Sequence, residues 1–360
     1  MRIKDLFEIN KGITTSREFF DDNKGIPCVH YGDIYRFYNE KTILSSNILN
    51  KFTLNLDKLK PINQDSIIMP DVTETITDFG HLTYIKYDKT QYINGTHTLV
   101  ILNNRNNNLK YLFYYLQSSK IKKQLQTLLL GSTVFQISKK DLENFELQSI
   151  HSENEQRHIV DIIGSLDDKI ENNNKIIDKL WQKLQLVHTD FKSKNELVEK
   201  NILELSDIKY GKGIPTSEIS KDGLYSVYGS NGIIGYLNNY IFKEHKIAIS
   251  CRGNSSGIIH LTDENSTVTS NSLVLDFKNF DYTYYFFLEF MYKGLYEYKT
   301  GSAQPQITID NLKILNLQVP KNINDYIKNI NDSVEYTFCL KKENQKLFLL
   351  KQFYLKKFFV

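Results

Sequence analysis

Two glycine-punctuated polar loops carry the residue types best suited to molecular recognition: Tyr228-Gly229-Ser230-Asn231-Gly232 and Ser250-Cys251-Arg252-Gly253-Asn254-Ser255-Ser256-Gly257. Small residues let a backbone approach a ligand, and hydroxyl and amide groups in such loops can bond base edges and phosphates. Arg252 is the only arginine after Val160 and a candidate guanine reader; an ordinary surface or salt-bridge arginine would look the same in sequence. Tyr228, Ser230, Asn231, Asn254 and Ser255 surround it in the candidate set. The first half of the chain offers Tyr31-Gly32-Asp33 with Arg36, and the segment from Pro70 to Thr77 with Thr73 and Thr75. Gln136 and Gln306 stand at matching points of two related segments. Glutamine there can contact adenine through two hydrogen bonds, or complete a shared structural loop. Lys11, Thr14, Thr15, Ser16, Ser132, Lys212, Thr216, Ser217, Ser302 and Gln304 complete the expected DNA-contacting residues.

Catalytic constellations are not evident. The six prolines include no adjacent pair, so the polar-Pro-Pro-aromatic loop of amino-methyltransferases is missing. Gly211-Lys212-Gly213 lacks the upstream glycine and following hydroxyl of a phosphate-binding loop. Asp71 and Glu74 after Pro70 stand too close together for a nuclease core, and His30, His81, His97 and His260 show no metal spacing. The expectation is a chain that binds rather than catalyses, with no metal site and no cofactor of its own. Cys28, Cys251 and Cys339 are widely spaced, as reduced thiols in a cytoplasm would be, and no apolar run suggests membrane contact. The formal charge is +3 overall but −2 over residues 201–320. Affinity for nucleic acid therefore cannot come from a polycationic surface alone.

The elements that would position these loops occur twice. Gly131 to Ile150 returns as Gly301 to Pro320, and Leu6-Phe7-Glu8-Ile9 with Lys11-Gly12-Ile13 returns as Leu205-Ser206-Asp207-Ile208 with Lys212-Gly213-Ile214. Such repetition has to be recognised before a fold is assigned. The fold class is α+β, with two similar domains over residues 1–150 and 196–320. Short strands are expected at Ser66 to Met69, Leu82 to Tyr87, Thr98 to Leu102, Lys246 to Cys251 and Ser272 to Phe277. Aromatic-rich helices are expected at Leu109 to Gln126 and Tyr282 to Tyr296, their rings able to stack on bases but more at home in a core.

Two helices follow the domains, over 151–195 and 321–360. Apolar residues recur by fours and threes at Ile159, Ile163, Leu166, Ile170, Ile177, Leu180 and Leu184, the signature of a coiled-coil seam. Asn173 interrupts that series, either buried to fix register or exposed by local bending. The second helix keeps the spacing at Ile327, Ile330 and Val334, breaks it at Thr337 and Lys341, and resumes an apolar face at Leu347, Phe348, Leu355 and Phe358. Two such helices would pair antiparallel, giving a rod with a domain at each end.

The duplicated starts, Tyr228 to Tyr236, Ser250 to Gly257, Thr269 to Leu275, the two Gly-Ser segments and the helix from Glu155 to Leu180 together resemble the specificity subunits of type I restriction-modification systems. The similarity runs over essentially the whole chain. It implies two target-recognition domains and two antiparallel spacer helices in a pseudo-two-fold internal repeat. Each domain would read one half of a bipartite, asymmetric site in double-stranded DNA. Two modification (methyltransferase) subunits would bring S-adenosylmethionine, and restriction (translocase and endonuclease) subunits would bring ATP and Mg. The other readings are a specificity module of a single-chain restriction-methylation system, and a coiled-coil scaffold whose end domains bind protein or carbohydrate.

Overall fold

The computed structural model describes residues 1–359 apart from 22–23, 39–40, 44–48, 55–58, 104–106, 221–222, 302–303 and 322. The chain divides into two compact units, Met1–Asn172 with Asn344–Val360, and Asn173–Glu343. The first unit is built on an antiparallel sheet in the order Glu8–Lys11, Thr98–Leu102, Ser66–Pro70, Thr83–Ile85, with Thr42–Ile43 added in parallel at its edge. Its central strands read as unbroken apolar runs because both faces are covered. Ile67, Met69, Leu99 and Ile101 point into one core, while Ile68, Val100 and Ile85 point into another, as the two-residue side-chain period requires.

The aromatic segment of this unit lies against the first of those cores. Asn108 caps the helix Leu109–Gln117 by accepting from the Tyr111 N–H. Ser118 ends that helix and caps the next, Ser119–Gln126, so the single helix expected from Leu109 to Gln126 is two. Tyr111, Phe113, Tyr114 and Tyr115 are all buried. They are core residues, and no base could stack on them without unpacking the unit.

The second unit repeats this architecture. Its sheet runs Ser206–Tyr210, Ser272–Phe277, Ile247–Ser250, Ile259–Leu261, and its aromatic helix Asp281–Lys293 buries Tyr284, Tyr285 and Phe286. That helix stops short of the expected Tyr296 because Gly294 takes φ 67° and ends it. Matching short helices, Ile3–Leu6 and Ile202–Leu205, lead into the first strand of each unit's main sheet, Glu8–Lys11 and Ser206–Tyr210. In each, the third helical carboxylate takes the capping residue's N–H: Asp5 from Arg2 at 2.7 Å and Glu204 from Asn201 at 3.0 Å.

Hydrogen-bond register corrects one pairing inferred from sequence. The Gly12 N–H donates to the Thr98 carbonyl and that of Gly211 to the Ser272 carbonyl, while Leu99 and Leu273 face Lys11 and Tyr210. The structural counterpart of Gly12 is therefore Gly211, not Gly213. Sterics explain why: a Cβ on Gly12 would fall 1.8 Å from the Gly95 carbonyl oxygen and one on Gly211 would fall 2.3 Å from that of Thr269, whereas Gly213 has open space around it. The same displacement pairs Tyr31 with Ser230 and Val29 with Tyr228, since the strands Ile26–Val29 and Tyr225–Gly229 pair in parallel with Ile93–Asn94 and Thr267–Val268.

The long helices, Glu153–Lys194 and Asn324–Phe358, run antiparallel within each unit. In the first unit Asp167 pairs with Lys351 at 2.8 Å and His158 lies near Phe358. In the second, Asn173 donates to Glu343 at 2.7 Å and His188 meets the Tyr326 hydroxyl at 2.7 Å. Ile159, Ile163, Ile177, Leu184, Ile327, Ile330 and Val334 are buried; Leu166, Ile170 and Leu180 are half-buried. Asn173 is fully buried, which decides between its two readings. The seam is also part of each unit's core: Ile159 and Ile163 share one cluster with Tyr114, Leu355 and Phe359, and Leu184, Ile327 and Ile330 share another with Tyr285 and Phe286. Thr337 remains in the buried row with its hydroxyl donating to the Val334 carbonyl at 2.7 Å. Phe348 does not; it is exposed, and Leu355 and Phe359 fill the core instead.

A charged cluster ties the second unit's helices together. Glu289, on the aromatic helix, accepts from His188 Nε2 at 3.0 Å and Lys192 Nζ at 2.5 Å, and its other oxygen lies 2.9 Å from Lys293 Nζ. A carboxylate only accepts, so Nε2 carries a proton, and the Tyr326 hydroxyl can donate to Nδ1. Burial raises the Glu289 pKa, but the hydrogen bonds from His188, Lys192 and Lys293 outweigh it and hold the carboxyl well below its usual range.

Two stability predictions follow from these contacts. Glu289→Ala is expected to lower the unfolding free energy in urea by roughly 3–5 kcal/mol, the cost of removing one partner from a buried ion pair. The Glu289 contribution is full above the carboxyl's ordinary value of 4.5 and declines as pH falls beneath it. Gly12→Ala and Gly211→Ala should each cost about 1–3 kcal/mol by thermal unfolding, while Gly213→Ala stays within about 0.5 kcal/mol of the parent.

Candidate nucleic-acid interface

In each unit the central strand that ends at Pro70 or Ser250 runs into a polar loop, and a returning segment clasps that loop. The Ile137 N–H donates to the Asp71 carbonyl at 2.9 Å and the Ile307 N–H to the Cys251 carbonyl at 3.0 Å. Gln136 then lies opposite Val72, and Gln306 opposite Arg252. Each clasp closes on itself through paired backbone bonds, between Leu130 and Gln136 in one unit and between Thr300 and Gln306 in the other. Gly131 and Gly301 begin the turns at φ 131° and 86°, a backbone region that glycine occupies without strain. A third strand end completes the frame, since the Asp71 N–H donates to the His97 carbonyl and the Cys251 N–H to the Asn271 carbonyl, both at 3.0 Å.

On this frame the first unit gathers Asp71, His97, Tyr31 and Gln136. Asp71 is 5% exposed; its Oδ2 accepts from Gln136 Nε2 at 3.3 Å, and its Oδ1 lies 3.4 Å from His97 Nδ1, an ion-pair contact that falls short of hydrogen-bond geometry. The Tyr31 ring meets the His97 ring edge to face at 5.6 Å. His30 stacks obliquely on Tyr31 and takes the Gly32 N–H on Nδ1. Burial lowers the His30 pKa, the charges of Arg17 and His97 push the same way, and Asp33 opposes them. Arg17 thus belongs to this surface.

The second unit gathers different side chains at the same points. Arg252, Asn271 and Gln306 are exposed, and Ser230 is half-buried with its carbonyl taking the Ser250 hydroxyl. Lys212 joins them through its carbonyl, which accepts from the Ser270 N–H. Asn254 is exposed and Ser255 half-buried on the loop that Ser256 anchors by donating to the Pro305 carbonyl at 2.7 Å. Asn231 projects from the turn after the Tyr225–Gly229 strand.

The remaining candidates divide by burial. Lys11, Thr14, Ser16, Arg36, Thr75, Ser132, Thr216, Ser217 and Gln304 are exposed. Thr15, Thr73 and Tyr228 are buried, and their hydrogen bonds shape the loops: Thr15 N–H donates to Thr96 Oγ1, Thr73 Oγ1 to the Thr75 carbonyl, and Tyr228 accepts from the Asp263 N–H. Ser302 lies outside the described residues. Asp71, His97, Arg17 and Asn271 join the interface through three-dimensional contacts that no sequence motif marks. Among the described residues no group of three or more His, Cys, Asp or Glu side chains could hold a metal ion, and no helix is long and apolar enough to cross a membrane.

The model of the family described as the type I restriction modification DNA specificity domain matches residues 1–182 and 194–351. The chain belongs to this family. A type I specificity subunit of Mycoplasma genitalium is 26% identical to this specificity-family chain over 178 residues, 45% of the chain and 46% of the relative. One of Mycoplasma pneumoniae is 26% identical over 198 residues, 50% and 52% of the two. The chain spans about half the length of the curated relatives it matches. The crystal structure of a type I restriction-modification S subunit from M. genitalium superimposes with a TM-score of 0.58 at 19% identity, covering 99% of this chain and 94% of that one. That likeness is one of fold, and it extends over both units of the specificity-family chain.

Thiol chemistry probes the frame directly. Cys28 and Cys251 are buried and Cys339 is exposed, and burial raises both buried thiols above their ordinary pKa. A disulfide-exchange reagent is expected to label Cys339 alone in the native chain. Cys28 and Cys251 should follow only on unfolding in urea.

Proposed function

We propose that each unit of this type I specificity chain reads one half of a bipartite, asymmetric DNA site, and that the chain directs methylation and restriction by partner subunits. The observation that carries the reading is the pairing of one backbone frame with two different sets of side chains. Gln136 and Gln306 are common to both, while His97 faces outward where the second unit has Asn271, and Val72 sits where it has Arg252. A shared frame with different contents suits two readers of different sequences. The shared glutamines supply a base-edge or loop-closing amide, and Arg252 supplies a fork for a guanine.

Each unit would position its loops against the duplex, with hydroxyls, amides and lysines such as Lys11 and Lys212 on the phosphates. Methyl transfer from S-adenosylmethionine would be carried by modification subunits, and ATP- and Mg-dependent translocation and cleavage by restriction subunits. The modest net charge supports this division, since partner subunits would supply part of the phosphate contact.

The experiment is methylome sequencing of a host that expresses the chain with its cognate modification subunit. The expected result is one bipartite, asymmetric methylated motif. Arg252→Ala combined with Gln306→Ala should relax base preference in one half only, by on the order of 10- to 100-fold at the affected position, with the other half unchanged. Absence of site-specific methylation, or equal change in both halves, would overturn the proposal.

A further inference from the structure

His97 occupies an unusual place for a histidine. It forms the turn between the strands Ile93–Asn94 and Thr98–Leu102 and adopts φ 55°, a left-handed conformation uncommon outside glycine. Such strain persists where the surroundings enforce it and gathers at functional positions. Here the His97 carbonyl is held by the Asp71 N–H and the ring is held on two sides, by the Asp71 carboxylate and by the edge of Tyr31. The ring is nonetheless 48% exposed, while the carboxylate beside it is 8% exposed.

This arrangement fixes which nitrogen faces outward. Nδ1 lies 3.4 Å from a carboxylate oxygen, whose negative charge favours the neutral tautomer with its proton on that nitrogen. Nε2 then presents its lone pair away from Asp71. Among the described residues it has no hydrogen-bond partner. Asp71 is itself held by the Gln136 amide at 3.3 Å, and Gln136 is exposed beside it. The pair therefore forms a supported, outward-facing acceptor next to an amide that both donates and accepts.

We infer that His97 is a specificity-determining residue of the half-site read by the first unit, its Nε2 accepting from an exocyclic amino group on a base edge, adenine N6 or cytosine N4, with Asp71 as its positioning residue. The inference rests on the DNA-reading function proposed above and adds to it a named contact and a named support. The second unit lacks the dyad. At the same framework points it has Asn271 and the thiol of Cys251, so an imidazole acceptor backed by a carboxylate belongs to one half-site and not the other.

The test compares methylation motifs produced by the parent chain, His97→Ala, His97→Gln and Asp71→Asn, each expressed in full length with the cognate modification subunit. Thermal unfolding of each purified variant accompanies the motifs. His97→Ala is expected to lose on the order of 10- to 100-fold of discrimination at a single base pair of one half-site, leaving the other half and the spacing unchanged. Asp71→Asn should relax that same base pair by a smaller factor, which general loosening of the unit would not do. His97→Gln retains an acceptor and provides a folded comparison if the alanine variant unfolds; it should alter preference at that base pair alone. A bipartite motif from the parent with identical base preferences in the folded variants would overturn the inference and leave the proposed function intact. A uniform loss across all sites with a shallower salt dependence would assign His97 to a phosphate and also overturn it. A parent chain that yields no site-specific methylation would remove both readings.

Discussion

One backbone hydrogen bond in each unit, from Ile137 to Asp71 and from Ile307 to Cys251, carries the geometry of everything around it. It joins the end of a buried central strand to a loop that would otherwise leave the strand's last polar groups without partners. Because the bond is made by main-chain atoms, it is indifferent to the side chains on either side. The residues opposite the glutamines can be valine or arginine, and the residue beneath can be a carboxylate or a thiol, without disturbing the frame. Diversity of contact is thus compatible with constancy of fold.

The helices obey a different constraint. An apolar seam by itself tolerates sliding by a heptad, since isoleucine packs on isoleucine wherever it lands. Polar pairs do not. Asn173 with Glu343, Asp167 with Lys351, and the Glu289 cluster with His188 and Tyr326 each have one arrangement that satisfies them. A displaced helix would place charge against hydrocarbon, so these contacts define which residues of the two helices meet within each unit.

Much of this was legible in the sequence because periodicity and repetition are properties of the chain itself. The strands Thr98–Leu102 and Ser272–Phe277 have the expected limits, and the seam positions Ile159, Ile163 and Leu184 are buried. What sequence similarity misplaced was register. Lys11-Gly12-Ile13 and Lys212-Gly213-Ile214 match as letters, but backbone crowding selects Gly211, and no letter pattern encodes the distance to the Thr269 carbonyl. Tyr228, a candidate DNA contact by its loop, lies in the core because its strand register turns it inward. The Asp71 and His97 contact was invisible because its partners are far apart in sequence and belong to no periodic pattern; the left-handed turn that aims the ring exists only in three dimensions. Arg252 and Gln306 stood out because their loops are rich in glycine and amide residues, a compositional signal that survives without coordinates.

Leu355 and Phe359 close the core in which Ile3, Tyr114 and Ile163 are packed. The first unit therefore cannot finish its interior until the segment from Asn344 to Val360 has emerged from the ribosome, after the whole of the second unit. At ordinary elongation rates the open interior would wait on the order of ten to forty seconds, during which aromatic surface from Tyr111 to Tyr115 lacks its final cover. Loss of Leu355 and Phe359 would open the interior around Ile3 and Tyr114, more than two hundred residues earlier in the chain.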